Sequence, residues 1–256
     1  MDFLQNFPDI LKNFDNYHIQ GKMLDNEVEK KLDYIYKKNL KYDFFSKNLI
    51  SIDMIIKELI QNCIKAHIKR WIFKRYKLNP LEPLDYQKSL RILRHILYFI
   101  RIEELVNNIK DYDYYYDVYL SFHKKLLLLH IINEGNLLPI EEKRIRLKFQ
   151  ETFLVNNLYD FYLKYSDTQE GAGMGIAIII MLLKQIGLDS RHFVIFNYQN
   201  NQSKQIFKTI SRIYIPFDKN YLLPRKKFDI YLKNHSIKKE ELREKIKKNL
   251  IYIPFI

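Results

Sequence analysis

The chain has 256 residues, 47% of them hydrophobic, and a formal net charge of +13. That size and apolar content suit one sizeable domain with additions and exclude global disorder, while the basic balance favours acidic partners: nucleotides, nucleic acid or an anionic membrane surface. The lone cysteine, Cys63, excludes an internal disulfide and a Cys-rich zinc site. The opening residues lack the pattern of a signal peptide, and the longest apolar run, Ile176 to Leu183, is too short to span a bilayer, so a cytoplasmic location is expected.

Residues 1–50 read as an N-terminal helical extension whose one histidine is His18. A strong helix is expected from Ser51, as N-cap, to about Arg75, and Pro80 and Pro83 break it. A helical insertion is expected near 78–124, including the acidic-aromatic run from Asp111 to Asp117, read as a half-buried surface segment. The run from Lys125 to Asn133 is continuously apolar, the pattern of a strand covered on both faces. Glu141 to about Tyr165 reads as helical, and a further helix follows Gly171-Ala-Gly-Met-Gly175 and ends at Gly187. His192–Tyr198 and Phe207–Phe217 suggest a hairpin, and residues 218–256 form a basic C-terminal tail.

Three pieces of this order carry chemistry. Half of the chain's 6 glycines, Gly171, Gly173 and Gly175, alternate just before a helix. Such a loop lets backbone approach an anion, and the helix offers free N–H groups and a positive dipole end to phosphate. A Walker loop would end in Gly-Lys-Ser/Thr, and a dinucleotide fingerprint would place a third glycine at 176; Ile176 fails both. In the helix from Ser51, Glu58, Asn62, Lys65 and Lys69 fall within an arc of about 60°, beside the apolar face of Ile52, Ile55, Ile56, Leu59, Cys63 and Ala66. Taken alone, that stripe reads more simply as a solvated face with polar pairs. The third piece, Asn133-Glu134-Gly135-Asn136, places a polar side chain at a glycine turn where a buried strand ends, a common way to build a pocket.

Glu58-Leu-Ile-Gln-Asn62-Cys-Ile-Lys65-Ala66 resembles the Asn-containing box of the histidine-kinase, gyrase and heat-shock-chaperone ATPase superfamily. Asn133-Glu-Gly135-Asn-Leu-Leu-Pro-Ile is similar to its first glycine box, Glu170-Gly-Ala-Gly-Met-Gly-Ile to its second, and the run from Phe207 through Thr209 to Pro216 to its closing strand. The resemblance covers about residues 51–217 and implies ATP and Mg²⁺ as ligands. It implies that Glu58 orients or activates the attacking group, that Asn62 holds the metal, and that Lys65 lies near the phosphates. Asn133 would meet the adenine beside Gly135 and Thr209, and Gly171, Gly173 and Gly175 would close around the phosphates. Two departures stand out. Asn133 replaces an aspartate, exchanging a charge-assisted hydrogen bond for a neutral one at a loss of about 1 kcal/mol, and Leu137 or Leu138 stands where a second glycine is usual.

The fold implied is α+β, a two-layer sandwich of a mixed sheet with helices on one face. The function implied is that of a histidine-kinase-like ATPase domain, a signalling kinase or nucleotide-dependent regulator acting on a separate protein partner. His18 in Asn-Tyr-His-Ile lacks the acidic sequence neighbour usual beside a phospho-accepting histidine. The alternatives are a protein-interaction module with a degenerate nucleotide site and a basic nucleic-acid-binding protein, the latter resting on charge and on clusters such as Arg225-Lys-Lys227.

Overall fold

The structure is a computed structural model that describes residues 14–100, 104–106, 113–155, 157–165, 174–199, 207–218 and 220–241. Five strands form one sheet: β1 (Asp15–Gly21), β2 (Tyr116–His123), β3 (Leu126–Glu134), β4 (Phe193–Gln199) and β5 (Phe207–Pro216), in the order β1-β2-β3-β5-β4. Every pairing in this sheet is antiparallel, where a mixed sheet was expected. The physical reason lies in the connections: β2 and β3 are joined by the two residues Lys124 and Lys125, and β4 and β5 also follow one another, so each pair closes as a hairpin.

One long helix dominates the other layer. After α1 (Asn26–Asn39) and the short α2 (Asp43–Lys47), α3 runs from Leu49 to Arg75, about 40 Å at 1.5 Å per residue. Ser51 is not its cap, because α2 leads straight into α3 and leaves Ser51 buried inside the first turn. Asn48 holds the cap position, but its side chain donates back to the Phe44 carbonyl. The remaining helices are α4 (Pro83–Phe99), α5 (Pro139–Phe153), α6 (Leu158–Tyr165), α7 (Met174–Gln185) and α8 (Pro224–His235).

The main core lies between these helices and one sheet face. Ile52, Ile56, Ile60, Ile64 and Ile68 of α3 meet Val118, Leu120 and Phe122 of β2, Leu127, Leu129 and Ile131 of β3, and Ile213 and Ile215 of β5. The two-residue alternation along each strand sends the intervening side chains to the other face. That face is also covered at its centre, where Tyr119, Ile132 and Ile210 cluster. Burial on both sides explains why β3 is apolar from Leu126 to Ile132 except for the buried His130.

Residues 1–50 are not simply a helical extension. β1 pairs along its length with β2, and Val28, Leu32 and Ile35 of α1 enter the main core. The span 78–124 is likewise not all helical, since α4 is followed by β2, whose Tyr116, Val118, Leu120 and Phe122 alternate inward. Among the described residues no helix is long and apolar enough to cross a membrane.

Candidate functional site

The face of α3 that was read as a polar stripe is where Gly175 of the second glycine motif comes in. Gly175, in the first turn of α7, lies so close to it that an added Cβ would stand 2.5 Å from Glu58 Oε1 and 3.0 Å from Asn62 Nδ2 and Oδ1. Glycine is needed here for close approach of two helices, not for an unusual backbone angle. α7 reaches this position because it is apolar nearly all round: Ala177, Ile179, Ile180 and Leu183 are buried, and the helix packs along α3. Its end is set by Gly187 at φ +81°, with Leu188 N–H returning to the Leu183 carbonyl at 2.8 Å. Gly171 and Gly173 lie outside the described residues.

Glu58 is mostly buried, and that burial pushes its carboxyl above the ordinary carboxylate range, opposed by the Lys65 ammonium at 4.0 Å. A carboxylate with raised proton affinity beside an amide, at the start of a helix, can accept a proton from an attacking group. Lys65 thus sits with Glu58 and Asn62, as expected. Lys69 does not join them. Its ammonium forms a 2.6 Å ion pair with Glu141 of α5, with the two side chains only 7% and 8% exposed. Burial disfavours the Glu141 carboxylate, but Lys69 and Arg70 outweigh it and hold the group below its ordinary range. The pair ties the C-terminal half of α3 to the helix that follows the Gly135 turn.

That turn is held by a polar row that crosses the sheet on its helix-facing side. Asn133 of β3 pairs with Thr209 of β5, which pairs with Asn197 of β4. The Thr209 hydroxyl donates to the Gly135 carbonyl at 2.9 Å, and Asn197 Oδ1 accepts from Leu137 N–H at 2.9 Å. Gly135 adopts φ +96°, and Arg70 Nε lies 2.6 Å from where its Cβ would be. The Arg70 guanidinium donates to the Asn136 and Ala66 carbonyls, so α3 itself clamps the turn. Asn133 is buried, its side chain beside the His67 imidazole.

Opposite Asn133 stands His67, a residue that pattern reading passed over. It is fully buried. Burial and the Arg70 guanidinium push its pKa down to about 3, opposed by a hydrogen bond with the Asn133 side chain, so the ring is neutral at physiological pH. The half-buried Tyr114 stacks on it with ring centroids 5.4 Å apart. Arg70, Asn197 and Tyr114 were equally invisible, since each gains its role only from residues distant in sequence.

Gly175 thus meets α3 at Glu58 and Asn62, whereas the Gly135 turn meets it at Arg70. Glu58 and Arg70 are about 18 Å apart along the axis and about 120° apart around it. A separate cleft of about 320 Å³, lined by Arg70, Phe73, Lys74, Leu78, Pro80, Leu138 and Glu141, opens beyond this stretch. Its position places it away from Glu58 and Asn62. Among the described residues no group of three or more His, Cys, Asp or Glu side chains is placed to hold a metal ion.

No family model and no solved structure matches the chain. Over 168 residues it is 27% identical to an uncharacterized protein of Treponema pallidum (strain Nichols), a match covering 63% of this chain and 30% of that protein. This chain thus spans less than a third of that relative's length. The likeness names no family.

Proposed function

We propose that the chain binds Mg-ATP along the polar face of α3 and works as a histidine-kinase-like ATPase domain, a kinase-type or nucleotide-dependent regulator of a separate protein partner in the cytoplasm. The observation that carries this reading is the approach of Gly175 to Glu58 and Asn62. It brings a helix start, with its free N–H groups, against a carboxylate and an amide on one face of a second helix. The Asn-containing motif and the second glycine motif are thereby neighbours in space.

Asn62 would be the protein's oxygen ligand to Mg²⁺, which when bound would offset phosphate charge. Glu58, its proton affinity raised by burial, would orient the attacking group and take its proton. Lys65 would balance phosphate charge from the same face, and Gly171, Gly173 and Gly175 would close around the phosphates. Asn133 would meet the adenine beside Gly135 and Thr209. A protein-interaction module with a decayed nucleotide site is the second reading, favoured by Asn133 in place of aspartate.

Calorimetric titration with Mg-ATP separates the two. The first reading expects saturable binding that Asn62→Ala weakens through loss of a metal ligand, and that Glu58→Ala leaves nearly intact. Glu58→Ala should cut hydrolysis or phosphoryl transfer by roughly 10²-fold or more. Wild-type binding unchanged in Asn62→Ala would remove the central residue from the site, and no binding at millimolar nucleotide would favour the decayed module.

A further inference from the structure

Helix α4 has two sharply different sides. Tyr86, Ser89, Leu90, Leu93 and Ile96 are buried, and through them the helix packs on α3. The opposite side turns Lys88, Arg91, Arg94, His95, Tyr98 and Phe99 to solvent within an arc of about 140°, along about 16 Å of axis. The charges on this side are unbalanced. Exposed cations on other helices have a carboxylate one turn away: Lys31 has Glu27, Lys47 has Asp43 and Arg146 has Glu142. The one acidic residue of α4, Asp85, lies in the first turn outside the arc, where it accepts from the Asn79 N–H at 2.8 Å. Among the described residues Lys88, Arg91 and Arg94 have no ion-pair partner. Their spacing of three residues sets like charges beside one another, an arrangement that weakens a helix in the absence of an anion. The aromatic end of the face is also unused by the core. Tyr98 and Phe99 are 81% and 66% exposed, their rings edge to face with centroids 4.7 Å apart, and His95 lies 4.5 Å from the Phe99 ring.

We propose that this outer face of α4 binds single-stranded nucleic acid, with Lys88, Arg91 and Arg94 along the phosphates and Tyr98 and Phe99 stacking on bases. The chain's net charge of +13 draws polyanions to it in general, and α4 is where unpaired cations run in line towards exposed rings. An unpaired strand offers both elements that the face complements, a line of negative charge and open base faces, whereas a duplex keeps its bases stacked on one another. An anionic membrane matches the charge but not the geometry. A helix that lies in a bilayer surface turns its apolar side to the lipid, and α4 has committed that side to α3. The surface is separate from Glu58, Asn62 and Gly175, so the inference stands independently of the nucleotide reading.

Fluorescence anisotropy of the intact chain with labelled oligo(U) and oligo(dT) of about twelve nucleotides, over a series of salt concentrations, tests the assignment. The wild type should bind, more tightly than it binds a duplex of equal length. Replacing the three cations together, as Lys88→Gln with Arg91→Gln and Arg94→Gln, should weaken binding by about tenfold or more at low salt. It should also make the slope of log affinity against log salt shallower by about 2, from three lost phosphate contacts. Tyr98→Ala with Phe99→Ala should cost a further tenfold or so through lost stacking, while the salt slope stays as in the wild type and duplex affinity is unchanged. Both variants alter only exposed side chains, so their urea midpoints should match the wild type. No binding of either oligonucleotide at low salt overturns the proposal. So does binding that the cation variant retains in full, which places the contact on another basic segment such as Arg225-Lys-Lys227. Equal affinity for strand and duplex, untouched by loss of the two rings, marks a general polyanion surface and overturns it as well. Co-sedimentation with phosphatidylserine vesicles, lost in the same variants while the oligonucleotides stay unbound, would assign the face to a membrane instead.

Discussion

Gly175→Ala offers a stringent perturbation of the proposed site because its two effects have opposite signs. In the first turn of α7 an alanine gains about 1 kcal/mol of helix propensity over glycine. Its Cβ, however, would stand 2.5 Å from Glu58 Oε1 and 3.0 Å from both terminal atoms of Asn62. Normal contact begins near 3.4 Å, so the Glu58 carboxylate must retreat by about 1 Å and Asn62 by a few tenths. Both are ends of flexible side chains, and the retreat is cheap for the fold, with a rotamer cost of order 0.5–1.5 kcal/mol. The net change in stability should lie within about 1 kcal/mol of zero. For a site that needs those two groups in register the same displacement is severe, since about 1 Å of misplacement can cost on the order of 10²-fold in rate. Gly187→Ala is the matched control: nothing lies within 4 Å of its Cβ, but φ is +81°, so alanine there should cost about 1 kcal/mol or more and leave ligand binding untouched. Urea melts and Mg-ATP titrations on the two variants should therefore show opposite patterns. Gly175→Ala with wild-type nucleotide affinity and turnover would refute the role given to this contact.

Two further predictions concern buried charge. His67 has a folded pKa of about 3, against about 6.5 when unfolded, and His130 is also pushed well below its ordinary range by burial and Arg212. Between those values the unfolded state binds more protons, so stability is full above about pH 6.5 and falls as the pH drops towards 3. For His67 alone the loss by pH 4.5 is about 3 kcal/mol, and His67→Phe should flatten the urea midpoint between pH 7 and 4.5 by a comparable amount. Glu141→Gln breaks the 2.6 Å pair with Lys69 and should cost about 3 kcal/mol, because the ammonium stays buried after losing its carboxylate. Replacing both residues together, as Lys69→Met with Glu141→Leu, should recover most of that loss in the same melts.

The parts of the fold that were legible in sequence are those whose burial leaves a local pattern. β3 announced itself by a run apolar but for His130, because both sheet faces are covered, and α7 by near-total apolarity closed with Gly187. The β4–β5 hairpin was readable from two β-rich runs around a polar turn. β1 and β2 were not readable, for different reasons. β1 is the sheet edge, and its seven residues DNYHIQG bury only Ile19, so its strand state comes from pairing with β2 and not from propensity. β2 follows a run of tyrosines and aspartates whose composition suits a surface segment, and its inward alternation begins only at Tyr116.

The candidate site shows the same division. Glu58, Asn62 and Lys65 share a helical face, which periodicity reveals, and Gly175 was visible as one of few glycines. The fourth member of the stripe, Lys69, was misplaced by the same reasoning: an angle on a helical wheel says which way a side chain leaves the axis, not what it meets, and here it meets Glu141. His67 lies on the apolar side of the wheel, where a neutral imidazole passes for core. Its surroundings became visible only when Asn133, distant in sequence, appeared beside it in the structure.

Thr209 and Asn197 show that polar groups at this sheet end are satisfied by the chain itself, because they are bonded to the Gly135 turn. Arg70 reaches the same turn from α3 through the Asn136 carbonyl, and Lys69 anchors the helix that follows it through Glu141. The turn is therefore fixed from the sheet and from α3 at once, so its geometry is set by residues of β4, β5 and α3 and not by the turn sequence alone.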